Sequence, residues 1–225
     1  MDYPPFSDYF YVAGNPMIFV DPDGRSVKTV IVTGEDADRA TEKLNKSSSL
    51  DITRDQETGK LIATGKVESE SDRILLAAIM DSQITVRLET TDAQIFDSKD
   101  GTKNIPLLPG GFEGSTSNSN ATKVTATQLI NVSNAEVISD VIGEETGETI
   151  RHEINEAYYG ALQNPGGDYD SAYESAHSTV SKVDGVVHPK LDLNRDKSRS
   201  PHVFQIRRKG TSVWRDLGPM KKMKR

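Results

Sequence analysis

The stretch TIRHEINEAYYGAL, Thr149 to Leu162, sets His152, Glu153 and Glu156 within about one turn of a helix. Residues four apart on a helix are neighbours, so His152 and Glu156 can converge on one ion. Glu153 then stands beside them as a carboxylate able to take a proton from water. Any polar helix face supplies such pairs, and a histidine with two glutamates on a solvated helix needs no function. The chain has no cysteine, so a metal centre must be built from His, Asp or Glu. A catalytic zinc takes three protein ligands and keeps one position open, so one more donor is required. The chain has four histidines to offer: His152, His177, His188 and His202.

Two helices must position these groups. At 100° per residue Ile150, Ile154, Ala157, Tyr158 and Ala161 form one apolar stripe, with His152, Glu153, Glu156 and Gln163 nearly opposite. The spacing predicts an amphipathic helix with the candidate site on its polar side. QNPGGDYD is a stop and a turn, and SAYESAHSTVSKVDG reads as a second helix with Ala172, Ala176, Val180 and Val183 turned to the core. His177 lies off that stripe. Glu174, three residues earlier on the same side, can accept a hydrogen bond from its ring. Tyr169 and Tyr173 are candidates to stabilise a developing oxyanion, whereas Tyr158 faces the core.

Residues 149–184 resemble the active site of the zincin metallopeptidases, and within them the gluzincins, whose pattern is H-E-x-x-H, a turn and a glutamate from the next helix. Here the motif is HExxE. Glu156 stands where the second histidine would be and His177 where the glutamate would be, so the ligand set His₂Glu is kept in permuted order. The resemblance implies a zinc held by His152, Glu156 and His177, with Glu153 as general base in metal-assisted hydrolysis of a peptide bond. A set that includes a carboxylate admits Mn or Fe as well as Zn.

Upstream, VKTVIVT reads as a strand, GEDADRATEKLN as a helix, and LDITRDQETGKLIATGKV as a hairpin around DQETGK. SESDRILLAAIMDS predicts a second helix, and QITVRLETT and KVTATQLINV two more strands. The pattern is α+β, short helices laid on a small, mostly antiparallel sheet. Residues 97–122, rich in Gly, Ser, Asn and Pro, read as a long loop, either over an active site or out on the surface. SDVIGEETGET reads as the lead into the HEINE helix.

At the N-terminus, YFYVAGNPMIFVDPDGRS joins aromatic and β-branched residues to two turn signals, GNP and DPDG. Residues 9–24 resemble the end of the RHS repeat-associated core, the shell of bacterial polymorphic toxins, on Tyr11-Val12-x-x-Asn15-Pro16 followed by Asp21-Pro22-x-Gly24. That resemblance implies that residues 1–24 close the shell and that the chain from about 25 onward is toxic cargo; within it 25–189 reads as the peptidase-like domain, and charge and two alternating runs around RRKGTS set off 190–225 as a basic tail or hairpin. It also implies delivery into a target cell as part of a larger effector in interbacterial competition, with the RHS shell and a cognate immunity protein as partners; a protein or peptide substrate is what the zincin resemblance implies. The N-terminus lacks the basic and apolar regions of a signal peptide, and no run approaches the roughly 20 apolar residues that span a bilayer.

Charge is divided along the chain: residues 190–225 carry a net +9 and the remainder −16. Basic residues interleaved with Phe204 and Trp214 can contact nucleic acid, but they can equally fold back on the acidic body. A metal-dependent nuclease toxin is therefore a second reading, although no H-N-H, paired-Asp or Lys-rich catalytic pattern appears. A non-enzymatic interaction domain with a degenerate metal site is a third.

Overall fold

The computed structural model describes residues 29–97, 104–120, 122–184, 191–198, 203–219 and 222–223. The turn-rich motif at 9–24 lies outside them, as do His188 and His202. In chain order the elements begin with β1 (Val30–Gly34), α1 (Ala37–Ser47), β2 (Leu50–Arg54), β3 (Leu61–Gly65), α2 (Glu70–Met80) and β4 (Ile84–Thr90). Next come β5 (Ile95–Asp97), β6 (Asn104–Pro106), β7 (Gly110–Ser117), β8 (Val124–Ile130) and α3 (Val132–Ile142). The chain continues through α4 (Thr146–Gln163), α5 (Tyr169–Asp184), β9 (Leu191–Asp196), β10 (Val203–Arg208) and β11 (Arg215–Pro219). This is an α+β fold.

The largest sheet has the order β1-β4-β8-β7. Antiparallel pairing prevails in the smaller sheets, β2 with β3, β5 with β6, and β9-β10-β11. The largest sheet is mixed: β1 with β4 and β4 with β8 are parallel, and only β7 with β8 is antiparallel. Parallel neighbours require crossover connections. The α1–β2–β3–α2 excursion supplies one, and the segment through β5, β6 and β7 supplies the other.

Two elements differ from the sequence expectation. Val132–Ile142 is a helix rather than a lead-in, opened by Asn131, whose side chain accepts from the Asn134 N–H, and closed by Gly143 in the left-handed region at φ 83°. Much of the expected loop is strand: Gly110–Ser117 pairs with β8 along its length. Its glycines are there for contact. A Cβ on Gly110 would come within 2.2 Å of the Glu153 carboxylate, and Gly114, at φ +122°, lies against the backbone of Gly167 and Asp168.

Helix α4 crosses the sheet at the centre of the molecule, with Ile150, Ile154, Ala157 and Ala161 fully buried as their spacing predicts. Around HEINE its polar side does not meet solvent, although Gln163 at the far end is exposed. Every residue from Thr149 to Ala157 is buried, including Arg151, His152, Glu153, Asn155 and Glu156. Arg151 is matched by Asp72, to which its Nη1 donates at 2.9 Å; it also donates to the Ser47 carbonyl at 3.0 Å. Asp72 further accepts from the hydroxyls of Ser48 and Ser49 and from the Ser49 N–H. This network fastens the end of α1 and the start of α2 to α4.

Candidate metal centre

The turn after α4 brings the two halves of the site together. The Asn164 N–H closes α4 on the Gly160 carbonyl, Gly166 takes a positive φ, and Asp168 Oδ1 accepts from the Ser171 N–H at the start of α5. Helix α5 packs on α4 with Ala172, Ala176 and Val180 buried. His177, one turn beyond Tyr173, therefore faces His152 and Glu156.

The three side chains converge. His177 Nδ1 lies 2.7 Å from Glu156 Oε2 and 3.3 Å from His152 Nε2, and His152 Nε2 lies 3.6 Å from Glu156 Oε2. Ligands bound at zinc distances around a tetrahedral ion stand about 3.3 Å apart, so the triangle has the right size. His152, Glu156 and His177 can hold a metal ion. A second observation fits the same group: Glu156 is 2% exposed, and its Oε1 has no hydrogen-bond partner among the described residues. A buried, half-satisfied carboxylate is costly unless a cation completes it.

Outer contacts orient the three side chains. His152 Nδ1 donates to Asp184 Oδ2 at 2.6 Å, which leaves Nε2 turned to His177 and Glu156, and the second Asp184 oxygen accepts from the Ser71 hydroxyl. The Tyr173 ring stacks on His177, with centroids 5.3 Å apart. Sequence reasoning missed Asp184. It lies two helical turns beyond His177 on α5, a spacing that keeps it on the same face and could have marked it. Glu174, the expected partner of the histidine ring, is exposed. Tyr173 lines the cavity beside the triad, while the Tyr158 hydroxyl is turned away to donate to Asp81. The Tyr169 side chain lies outside the described residues.

Glu153 sits next to the triad without joining it. Burial and the Glu156 charge push its carboxyl up to about 8, and the Gln128 carboxamide donates to its Oε2. Burial opposes the charged form of His152, but hydrogen bonds to Asp184 and Glu156 outweigh it and push the imidazole up to about 10. For Glu156 and Asp184 burial works upward and is overcome. Hydrogen bonds from His152 and His177 hold Glu156 below the usual carboxylate range, and those from His152 and Ser71 do the same for Asp184. Without metal, the cluster is an ion-paired imidazolium between carboxylates.

The group opens into a cavity of about 320 Å³. Its lining combines the apolar side chains of Leu108, Pro109, Ile138, Ile142, Leu193 and Ile206 with Glu144, Glu148 and Arg151, the last already paired with Asp72. Leu108, Pro109 and Gly110, from the segment read as a loop either over an active site or out on the surface, line this cavity. Comparison of the chain with protein-family models, curated proteins and solved structures returned no match.

Proposed function

We propose that this chain is a metal-dependent peptidase, with zinc held by His152, Glu156 and His177, and that it is the toxic cargo of an RHS-type effector. The observation that carries the enzymatic part is the convergence of buried His152 and Glu156 with half-buried His177, with Glu153 beside them. The resemblance at residues 9–24 supports the delivery part. When bound, the ion supplies Lewis acidity and acidifies water toward neutrality. The chain supplies the rest. Glu153 takes a proton from water and returns it to the leaving amine nitrogen. Asp184 and Tyr173 fix the two imidazole rings.

A peptide fits the cavity better than a nucleic acid does. Its apolar lining residues suit amino-acid side chains, and Glu144 and Glu148 in the same lining repel phosphates. Reconstitution of the purified protein with zinc, followed by elemental analysis and incubation with casein, RNA and DNA, tests this. About one equivalent of metal and cleavage of casein alone are expected. Absence of bound metal after reconstitution overturns the reading, and cleavage of RNA or DNA alone would replace it with the nuclease.

A further inference from the structure

Strand β8 turns Val124, Ala126, Gln128 and Ile130 toward α4. Three of the four are apolar members of the main core, as a row beneath a packed helix should be. The fourth is a glutamine with no solvent exposure at all. Burying a carboxamide there costs stability unless both its polar ends are matched, and only one is. Nε2 donates to Glu153 Oε2, while Oε1 has no hydrogen-bond partner among the described residues. A leucine or methionine would pack this position without an orphaned atom, so Gln128 is poorly explained as core.

A second feature of the sheet points at the same carboxylate. Gly110 on β7 pairs with Ile130, next along the inner row from Gln128. A Cβ at Gly110 would meet Glu153 Oε2 at 2.2 Å, its Cδ at 2.4 Å and its Cγ at 2.9 Å. All three are side-chain atoms, so an added methyl would displace the carboxylate and leave the strand in place. One residue therefore binds Oε2 and a neighbouring one vacates the space that Oε2 occupies.

We propose that Gln128 and Gly110 are positioning residues for Glu153, together fixing its Oε2 against the sheet so that Oε1 is the oxygen presented to water. This rests on the peptidase reading, in which Glu153 is the base. A buried donor on a central strand serves this better than one on a loop, because the rigid sheet sets the carboxylate's position before substrate arrives.

Gln128→Met keeps the volume and removes the donor; Gly110→Ala keeps the donor and fills the space. In zinc-loaded protein acting on casein peptides, each should lower kcat about tenfold to a hundredfold while KM stays within about twofold and the metal content stays at one equivalent. Unchanged kcat in both variants overturns the proposal. Should Gln128→Met fail to fold, Gly110→Ala alone decides. If the wild type cleaves no peptide, the peptidase reading fails, and positioning is then read without substrate from the visible absorption of the cobalt-substituted protein. There both variants should change the spectrum as Glu153→Ala does, and spectra identical to wild type would overturn the positioning itself.

Discussion

At the scale of single residues, HEINE combines two kinds of carboxylate that different measurements can separate. Glu156 contacts both histidines of the triad, while the Glu153 carboxylate accepts from Gln128 and lies outside the triad. Glu153→Gln should leave metal content and thermal stability nearly unchanged while lowering hydrolysis by about 10² to 10⁴. Glu156→Gln should lose metal and activity together. Metal loss in both, by elemental analysis, would make Glu153 a ligand. A further expectation concerns the metal-free protein, where the partners of His152 raise its imidazole from the ordinary 6.5 to about 10. A group raised on folding stabilises fully below its unfolded pKa and loses that contribution as pH rises through the folded one. Thermal midpoints in chelator should therefore fall between about pH 6.5 and pH 10, and His152→Gln should flatten that decline. An equal alkaline decline in the variant would place its origin elsewhere.

At the scale of elements, what could be read from sequence follows from how each element meets its surroundings. Helix α4 and the β2–β3 hairpin were legible because one period ran through each, and the HEINE residues because neighbours on a helix are fixed by spacing alone. Strand β7 was not. GGFEGSTS has the composition of a loop, and its glycines make sense only once Glu153, Phe96 and the Gly167–Asp168 backbone are seen against them. Helix α3 was hidden because it is apolar toward two neighbours. Val132 and Ala135 belong to the main core, while Ile138, Val137, Val141 and Ile142 join the cluster beneath the C-terminal strands, which blurs the helical period. Asp184 and Gln128 reach the site from other elements, beyond what local periodicity can report. The crossing of α4 over α1 offers a test of the packing. A Cβ at Gly147 would stand 2.0 Å from the Lys43 carbonyl oxygen, a backbone atom that cannot swing aside. Gly147→Ala should destabilise by about 1–3 kcal/mol despite alanine's better helix propensity, measured by urea unfolding of the metal-free protein. A variant as stable as wild type would mean that the two helices are not in such close contact.

At the scale of the whole molecule, the division of charge invites the idea that the basic C-terminal strands are held to the acidic body by ion pairs. The contacts argue otherwise. Arg215 reaches Asp140 at 3.7 Å with both side chains more than half exposed, and Lys222 reaches Asp97 at 2.9 Å from a similarly open position. Exposed pairs of this kind contribute about 0–1 kcal/mol each and fade in salt. Beneath them, Phe204, Ile206 and Leu217 are buried against Ile138 of α3. Truncating one buried phenylalanine costs about 3–5 kcal/mol. The apolar cluster therefore dominates the docking of this sheet, and Phe204, one of the aromatics that could have served nucleic acid, is already used in it. Trp214 stays at the surface with the Arg207 guanidinium 4.4 Å above its ring. Because Leu193 and Ile206 of the same sheet also line the cavity, the docking bears on function. In 1 M NaCl the C-terminal sheet should remain as resistant to limited proteolysis as at about 0.1 M, whereas Phe204→Ala should be clipped between α5 and β10 at either concentration and lose peptide hydrolysis with it. Release of the sheet by salt alone in the wild-type protein would show that charge, not the buried cluster, holds this wall of the site.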